Sequence, residues 1–475
     1  MIFGRETESF INTYVKALKE NNAVVFAGAG MSREDGFFDW GTLLKPIAER
    51  LDLDIKEEMH DLSALAQLFV DNQGGVRGEL DQILIEEYNK KNISISENHH
   101  ILARLPIQIY WTTNYDKLIE TALRDQGKTP DVKKKQEDLT VNFPKRDAII
   151  YKMHGDIDTV SETVLTKHEY EDYNKTRELF SNAFRSDYVA RTFLFIGFSF
   201  TDPNLDYLIS RIRTTLGRNI KPDYYFIKKS DDVKIQNRQQ LKANSLKKYG
   251  LIAIWINKYT EITEILKEIE TRFLRNTILI SGSAEIYGDF EEGRAIEFLH
   301  DLSKEISKKS FKILSGFGWG VGSAVINGVL DNMEREKVQN IDNYLIMRPF
   351  PQFSSNGKNI EILWTDYRNK FVPLAGIVLF VFGNKKNKLT GNIEIANGMI
   401  EEFEIAKSNG LKIIPVGATG FVAKQLWEKI IVEFENYYPN DLDLKNEFVR
   451  LGDIRMSNKE LINSIITIIN KFNSK

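Results

Sequence analysis

Cysteine is absent from all 475 residues. With no thiol, disulfides, a cysteine nucleophile and any zinc site built on thiolates are excluded. An excess of positive charge is also missing: Lys+Arg 64 stands against Asp+Glu 67, a formal net charge of −3. That balance supplies no broad basic surface, and no basic stripe or aromatic platform points to nucleic acid as a partner. Long apolar runs are lacking as well. The longest, GIVLFVFG (376–383), is far short of the ~20 residues needed to cross a bilayer. The start, MIFGRETESF, carries Glu6 and Glu8 where a signal peptide needs an apolar stretch. A cytoplasmic protein with no membrane attachment is expected. No low-complexity segment and no short-period repeat is visible.

What is present is the composition of a folded chain, 42% hydrophobic and 28% charged. Its length exceeds one ordinary core, so two domains are expected. Short apolar runs alternate with helical patterns, the signature of α/β architecture. In the first part the strand candidates are NAVVFAG (22–28), PIQIYWTTN (106–114), AIIYKMHG (148–155), TFLFIGFS (192–199), DYYFIKK (223–229) and LIAIWIN (251–257). Their near-continuous hydrophobicity predicts a mainly parallel sheet covered by helices on both faces. After the charged amphipathic stretch YTEITEILKEIETRFLR (259–275) the pattern restarts, with strands at TILIS, FKILSG, NYLIMRP, GIVLFVFG and LKIIPVG. Two Rossmann-like domains are expected, 1–273 and 274–475.

In open α/β sheets ligands sit beyond the carboxyl ends of the strands. At those positions the first half carries GAGMS (28–32), TTNYD (112–116), HGD (154–156) and GFSFTDPN (197–204). Gly28, Ala29 and Gly30 let a backbone approach a ligand closely, with N–H groups able to face a phosphate; such a turn also serves plain tight packing. The spacing is not GxGxxG, which disfavours a hydride-transferring dehydrogenase. Asn114 and Asp116 stand at a strand tip, where turn formation is their commonest role. The histidines are His60, His99, His100, His154, His168 and His300. Among them His154 alone is at a strand's carboxyl end followed by glycine. The pair His99-His100 has no partner at metal spacing, so no metal site is expected.

These four motifs, in this order, resemble the Sir2 family: Gly-Ala-Gly-x-Ser at Gly28 to Ser32, Thr-x-Asn-x-Asp at Thr112 to Asp116, His-Gly at His154-Gly155, and Gly-x-Ser at Gly197 to Ser199. The resemblance covers roughly residues 10–260. It departs from the protein-deacylating members in having no four-cysteine zinc module, and REDGFFDW (33–40) matches their Gly-Ile-Pro-x-Phe-Arg segment only loosely. Both departures weigh against an acyl-lysine substrate and leave an NAD pocket intact. The resemblance implies NAD contacts at Ala27, Gly28, Ala29, Gly30, Ser32, Asp116, Gly197, Ser199 and Asp202, with Asn114 and His154 as the catalytic pair. Breaking the nicotinamide–ribose bond needs a rigid cradle, a polar group that orients a nucleophile and a base. Asn114 suits orientation, since an amide both donates and accepts. An imidazole, whose ordinary pKa is about 6.5, suits proton removal near pH 7. With no acyl-lysine to accept the sugar, water does so and the product is ADP-ribose. NAD is then a substrate, with no further cofactor and no zinc.

In the second half, ILISGSAEIYG and FKILSGFGWGVGSAVINGVL are both strand, Gly/Ser loop, helix. Gly316, Gly318, Gly320 and Gly322 put N–H groups at a helix start, suited to phosphate. Neither half has the Lys-Ser/Thr of a P-loop, so ATP hydrolysis is not expected. Arg368 and Lys385 have the charge to neutralise a pyrophosphate and Glu402 the carboxylate to hold ribose hydroxyls; taken alone, Lys385 and Glu402 read more readily as solvated surface charges, and Arg368 is open to the same reading. This half resembles the SLOG family of nucleotide sensors. The Sir2–SLOG order, with SGFGWGVGS, MRPFPQ, FGNK and PVGATGFVAK, is similar to the NAD-hydrolysing effectors of Thoeris anti-phage systems across nearly the whole chain. That resemblance implies an NADase activated by a cyclic ADP-ribose isomer, made by a TIR-domain partner and bound at Gly282, Ser283, Gly316, Gly318, Arg368, Lys385, Gly398 and Glu402. It further implies a homotetramer or filament. Two other readings stay open: a sirtuin-type deacylase using the same pocket, and a nucleotide-sensing scaffold without catalysis.

Overall fold

The computed structural model of the protein describes residues 3–33, 40–59, 61–89, 94–200, 202–217, 221–353, 357, 359–387 and 389–474. His60 and most of the REDGFFDW stretch, residues 34–39, lie outside them. The chain forms two compact units, Met1–Glu270 and Thr271–Lys475. The division falls inside the charged amphipathic stretch, which is one helix, Thr260–Leu274.

The first unit contains a seven-stranded, all-parallel sheet. Its strands are β1 (Ala23–Ala27), β2 (Ile109–Thr112), β3 (Pro130–Lys133), β4 (Ala148–Lys152), β5 (Thr192–Ile196), β6 (Asp223–Lys228) and β7 (Leu251–Ile256), in the spatial order β3-β4-β2-β1-β5-β6-β7. All five residues of β1 are buried, as are all four of β2, which is what helices on both faces of a parallel sheet produce. β1 pairs with β2 on one side and β5 on the other, so the strand order reverses there. That switch point opens a crevice at the carboxyl edge.

β3 escapes the sequence pattern. It opens on a proline and contains only four residues, PDVK, in which Asp131 and Lys133 are buried as an ion pair 2.8 Å apart. As the edge strand it tolerates a proline and a charge pair that a central strand does not.

The second unit repeats the plan with five parallel strands: β8 (Thr277–Ser283), β9 (Lys312–Ser315), β10 (Leu345–Met347), β11 (Ile377–Phe382) and, beyond a small hairpin, β14 (Lys412–Pro415), ordered β10-β9-β8-β11-β14. The hairpin, β12 (Asn384–Lys386) against β13 (Ile393–Ile395), is antiparallel and separate from the main sheet. Its strands are three residues each and mostly exposed, too short to show an apolar period. The switch point here is β8, between β9 and β11. Among the described residues, no helix is long and apolar enough to cross a membrane.

Candidate active site and second ligand site

The four loops singled out in the first half meet at the carboxyl edge around β1. β1 ends at Ala27, and the chain turns through Gly28 into a short helix, Ala29–Ser32. The glycines here are dictated by packing. A Cβ on Gly28 would lie 2.8 Å from the Phe198 Cα, and one on Gly30 2.9 Å from the Gly197 Cα. Gly197 itself has φ +66°, a conformation glycine adopts without the penalty of a side chain. The structure departs from the phosphate-cradle expectation in one respect. The Gly28 N–H donates to Ile196 O and the Gly30 N–H to Gly197 O, both at 2.9 Å. These two amides lace β1 to the loop after β5, because the backbones come too close for anything to lie between them.

Asn114, after β2, and Ser32, after β1, are brought together at the switch point. Asn114 Nδ2 donates to Gly28 O (3.0 Å) and to Ser32 Oγ (2.9 Å), and Ser32 Oγ donates to Asp116 Oδ2 (2.7 Å). Asp116 Oδ1 also accepts from the Leu118 N–H at 3.0 Å, closing the turn into the next helix. Both readings of Asp116 are therefore present in one side chain: it forms the turn and it orients Ser32.

His154 follows β4 and is 2% exposed, against 8% for Asn114; both are nearly sealed from water. Its Nε2 is 3.1 Å from Asp202 Oδ2. Tyr170 and Tyr173 lie edge-on to the imidazole, with ring centroids 5.3 and 6.0 Å away, and the Tyr170 hydroxyl is 3.5 Å from Nδ1. Asp202 is held in place as the N-cap of the helix Pro203–Leu216, accepting from the Leu205 N–H at 2.9 Å. Burial pushes its carboxyl upward, but His154 and the backbone N–H donors outweigh that and hold it below the usual aspartate range. The carboxylate thus fixes the imidazole's orientation, one of the arrangements that hold a histidine for proton transfer. Ser199, by contrast, is exposed, with its carbonyl accepting from Lys242. His99 sits in the helix Glu97–Arg104 with Nδ1 2.9 Å from Ser96 Oγ.

In the second unit, Gly282 and Ser283 end β8, and the glycine loop after β9 crosses them. A Cβ on Gly316 would lie 2.9 Å from the Phe350 ring. Gly318 passes so close to Gly282 O that no side chain fits. Ser283 Oγ donates to the Asn384 carbonyl at 3.0 Å, directly before Lys385. Lys385 is exposed on the hairpin and pairs in register with Glu394. Arg368 and Glu402 come from two helices, Ile360–Phe371 and Asn397–Ser408. Arg368 Nη1 is 2.7 Å from Glu401 Oε2 and its Nε 3.5 Å from Glu402 Oε1, while its guanidinium lies over the Phe350 ring, 5.2 Å from the centroid. Gly398 leaves the space that this guanidinium fills. Glu402 accepts from Ser281 Oγ at 2.6 Å, and burial pushes its carboxyl above the usual range. Arg368 and Glu402 are therefore not solvated surface charges.

Comparison with known proteins supplies the rest. Residues 108–254 match the SIR2-like domain model, and residues 261–472 match the Sir2- and TIR-associating SLOG family. NAD(+) hydrolase ThsA of Cytobacillus dafuensis is 46% identical, covering 98% of this chain and 96% of the relative. The protein of that name in Bacillus cereus is 44% identical, with 97% and 98% covered, and the one in Enterococcus faecium 39%, with 97% and 98% covered. The chain belongs to the ThsA family.

Within this ThsA-family fold two features stayed hidden in the sequence. Asp202, expected as an NAD contact, also pairs with His154. Lys152, two residues before His154, is fully buried at the end of β4. A lysine inside an otherwise apolar strand run is the signal that marks it.

Proposed function

We propose that this chain hydrolyses NAD+ to nicotinamide and ADP-ribose, and that a cyclic ADP-ribose isomer bound in the second unit switches the reaction on. The observation that carries the first part is the oriented His154–Asp202 pair at the same sheet edge as the Asn114–Ser32–Asp116 chain. In this reading His154 takes a proton from water or from a ribose hydroxyl. Asn114 orients the ribose, and Asp116 acts through Ser32 to hold that amide. The nicotinamide departs neutral as positive charge develops on the sugar, so the protein's part is placement and proton removal. Because His154 and Asn114 are nearly sealed, the loops over them open before a sugar reaches either group.

The second part is supported by Arg368 being already paired with Glu401 and Glu402. A pyrophosphate entering beside Arg368 exchanges one anionic partner for another, while ribose hydroxyls suit Glu402. The isomer comes from a TIR-domain partner, the active species is a homotetramer or filament, and the role is NAD depletion in defence against phage. The deciding experiment is nicotinamide release from NAD by purified full-length protein, with and without cyclic ADP-ribose isomers. Release only with an isomer is the expected result. No release under either condition returns the chain to a binding scaffold, and release of acylated ADP-ribose from an acyl-lysine peptide marks it as a deacylase.

A further inference from the structure

Lys152 ends β4 in register with Thr112 of β2, and its side chain is 0% exposed. Its ammonium donates to Tyr115 O at 3.1 Å and to Asp116 O, and it meets Asp156 Oδ2 at 2.5 Å and Glu120 Oε1 at 3.2 Å. Burying an ammonium is costly, and a buried ion pair is weak evidence of a stabilising purpose. What distinguishes this one is its choice of partners. Two of the four are neutral backbone carbonyls, both in the loop that presents Asn114. Asp156, a third, belongs to the turn that presents His154.

The two loops are laced on either side of that ammonium. Met153 N donates to Thr112 O (2.9 Å) and Ile157 N to Tyr115 O (3.1 Å), with Asn114 between the two accepting residues. The Asp156 carboxylate is fixed in turn by Lys134 Nζ and by the Asp158 N–H, each at 2.9 Å. Burial pushes the Glu120 carboxyl upward against the pull of Lys152, and Asp156 makes the shorter of the two carboxylate contacts with the ammonium. For Asp156 burial also acts upward, but the two lysines and the backbone donor outweigh it.

We infer that Lys152 is a positioning residue that clamps the Thr112–Asp116 loop to the His154–Asp156 turn, and so sets the Asn114 amide against the His154 imidazole. The inference rests on the NAD-hydrolase reading and assigns that site a residue outside the substrate's reach. Small displacements of reacting groups lower turnover by about 10²-fold without a matching loss of binding.

The test is steady-state nicotinamide release by full-length protein with cyclic ADP-ribose isomers present, alongside thermal unfolding. Glu120→Gln, which keeps a side-chain oxygen able to accept from Lys152, is expected to keep a near-wild-type kcat. Lys152→Met combined with Glu120→Gln is expected to lower kcat by about 10²-fold with KM little changed. Lys152→Arg retains the charge but replaces a compact ammonium with a planar fork. It is expected to show the same kcat loss at an unchanged unfolding midpoint, a separation that a merely structural lysine does not give. Wild-type kcat in either folded Lys152 variant overturns the assignment while leaving the NAD reading in place. Silence of the wild type under all conditions overturns both.

Discussion

His154 and Asp202 form a pair whose two functions separate experimentally. Asp202 caps a helix through one oxygen and holds the imidazole through the other. Asparagine caps helices about as well as aspartate, so Asp202→Asn is expected to fold normally. It is also expected to lose nicotinamide release, because a neutral amide no longer holds the ring as a carboxylate does. His154→Ala is expected to lower turnover by ~10²–10⁴ in the same assay; turnover near wild type would falsify its role as the base. Acid sensitivity follows from the same neighbourhood. Asp158 is held at about 2 by its bonds to Lys117 and Lys134, and Asp156 and Asp202 also sit below their ordinary range. A carboxylate depressed in the folded state contributes stability that is complete above its unfolded pKa, about 3.9. That contribution is lost as pH falls through the folded value. The urea midpoint of unfolding is therefore expected to drop between about pH 4 and pH 2; a flat midpoint there removes these pairs from the stability account.

At the level of elements, the site depends on how closely β1 and β5 deliver their loops. Gly197 is the tightest point, with positive φ and a Cβ position 2.6 Å from the Gly30 carbonyl carbon. Gly197→Ala combines the left-handed penalty of about 1–2 kcal/mol with a backbone clash that flexible side chains cannot relieve. It is expected to cost more than that penalty, read as a lower denaturant midpoint together with lost turnover. An unchanged midpoint means the loop has a second arrangement. Most central strands were legible as apolar runs, since burial on both faces leaves no polar alternation to obscure them. β3 was not, because a proline and an ion pair at a sheet edge read as loop. Nor was the β12–β13 hairpin, whose three-residue strands carry no period.

For the whole molecule, the proposed activation turns on the energy linking ligand binding in the second unit to turnover in the first. Shifting an active form from 1% to 99% takes ~10⁴-fold preferential binding, about 5.5 kcal/mol. In the proposed reading a multiply charged ligand meeting Arg368 supplies that preference by charge-assisted bonds. Arg368→Ala is expected to abolish activation by a cyclic ADP-ribose isomer while the acid unfolding of the first unit stays as in the wild type. A normal response in that variant places the activator elsewhere.

The order of motifs along the chain was enough to assign two Rossmann-like sheets and to place Asn114, Asp116, His154 and Ser32 at one sheet's carboxyl edge. Periodicity and strand-end position are local properties, written into consecutive residues. The tertiary structure decided the partnerships: Asp202 on His154, Lys152 under the Asn114 loop, Glu402 and Glu401 around Arg368. Those contacts join residues far apart in the chain, or join a side chain to a remote carbonyl. Their geometry comes from strand register and helix packing, which no short stretch of sequence contains.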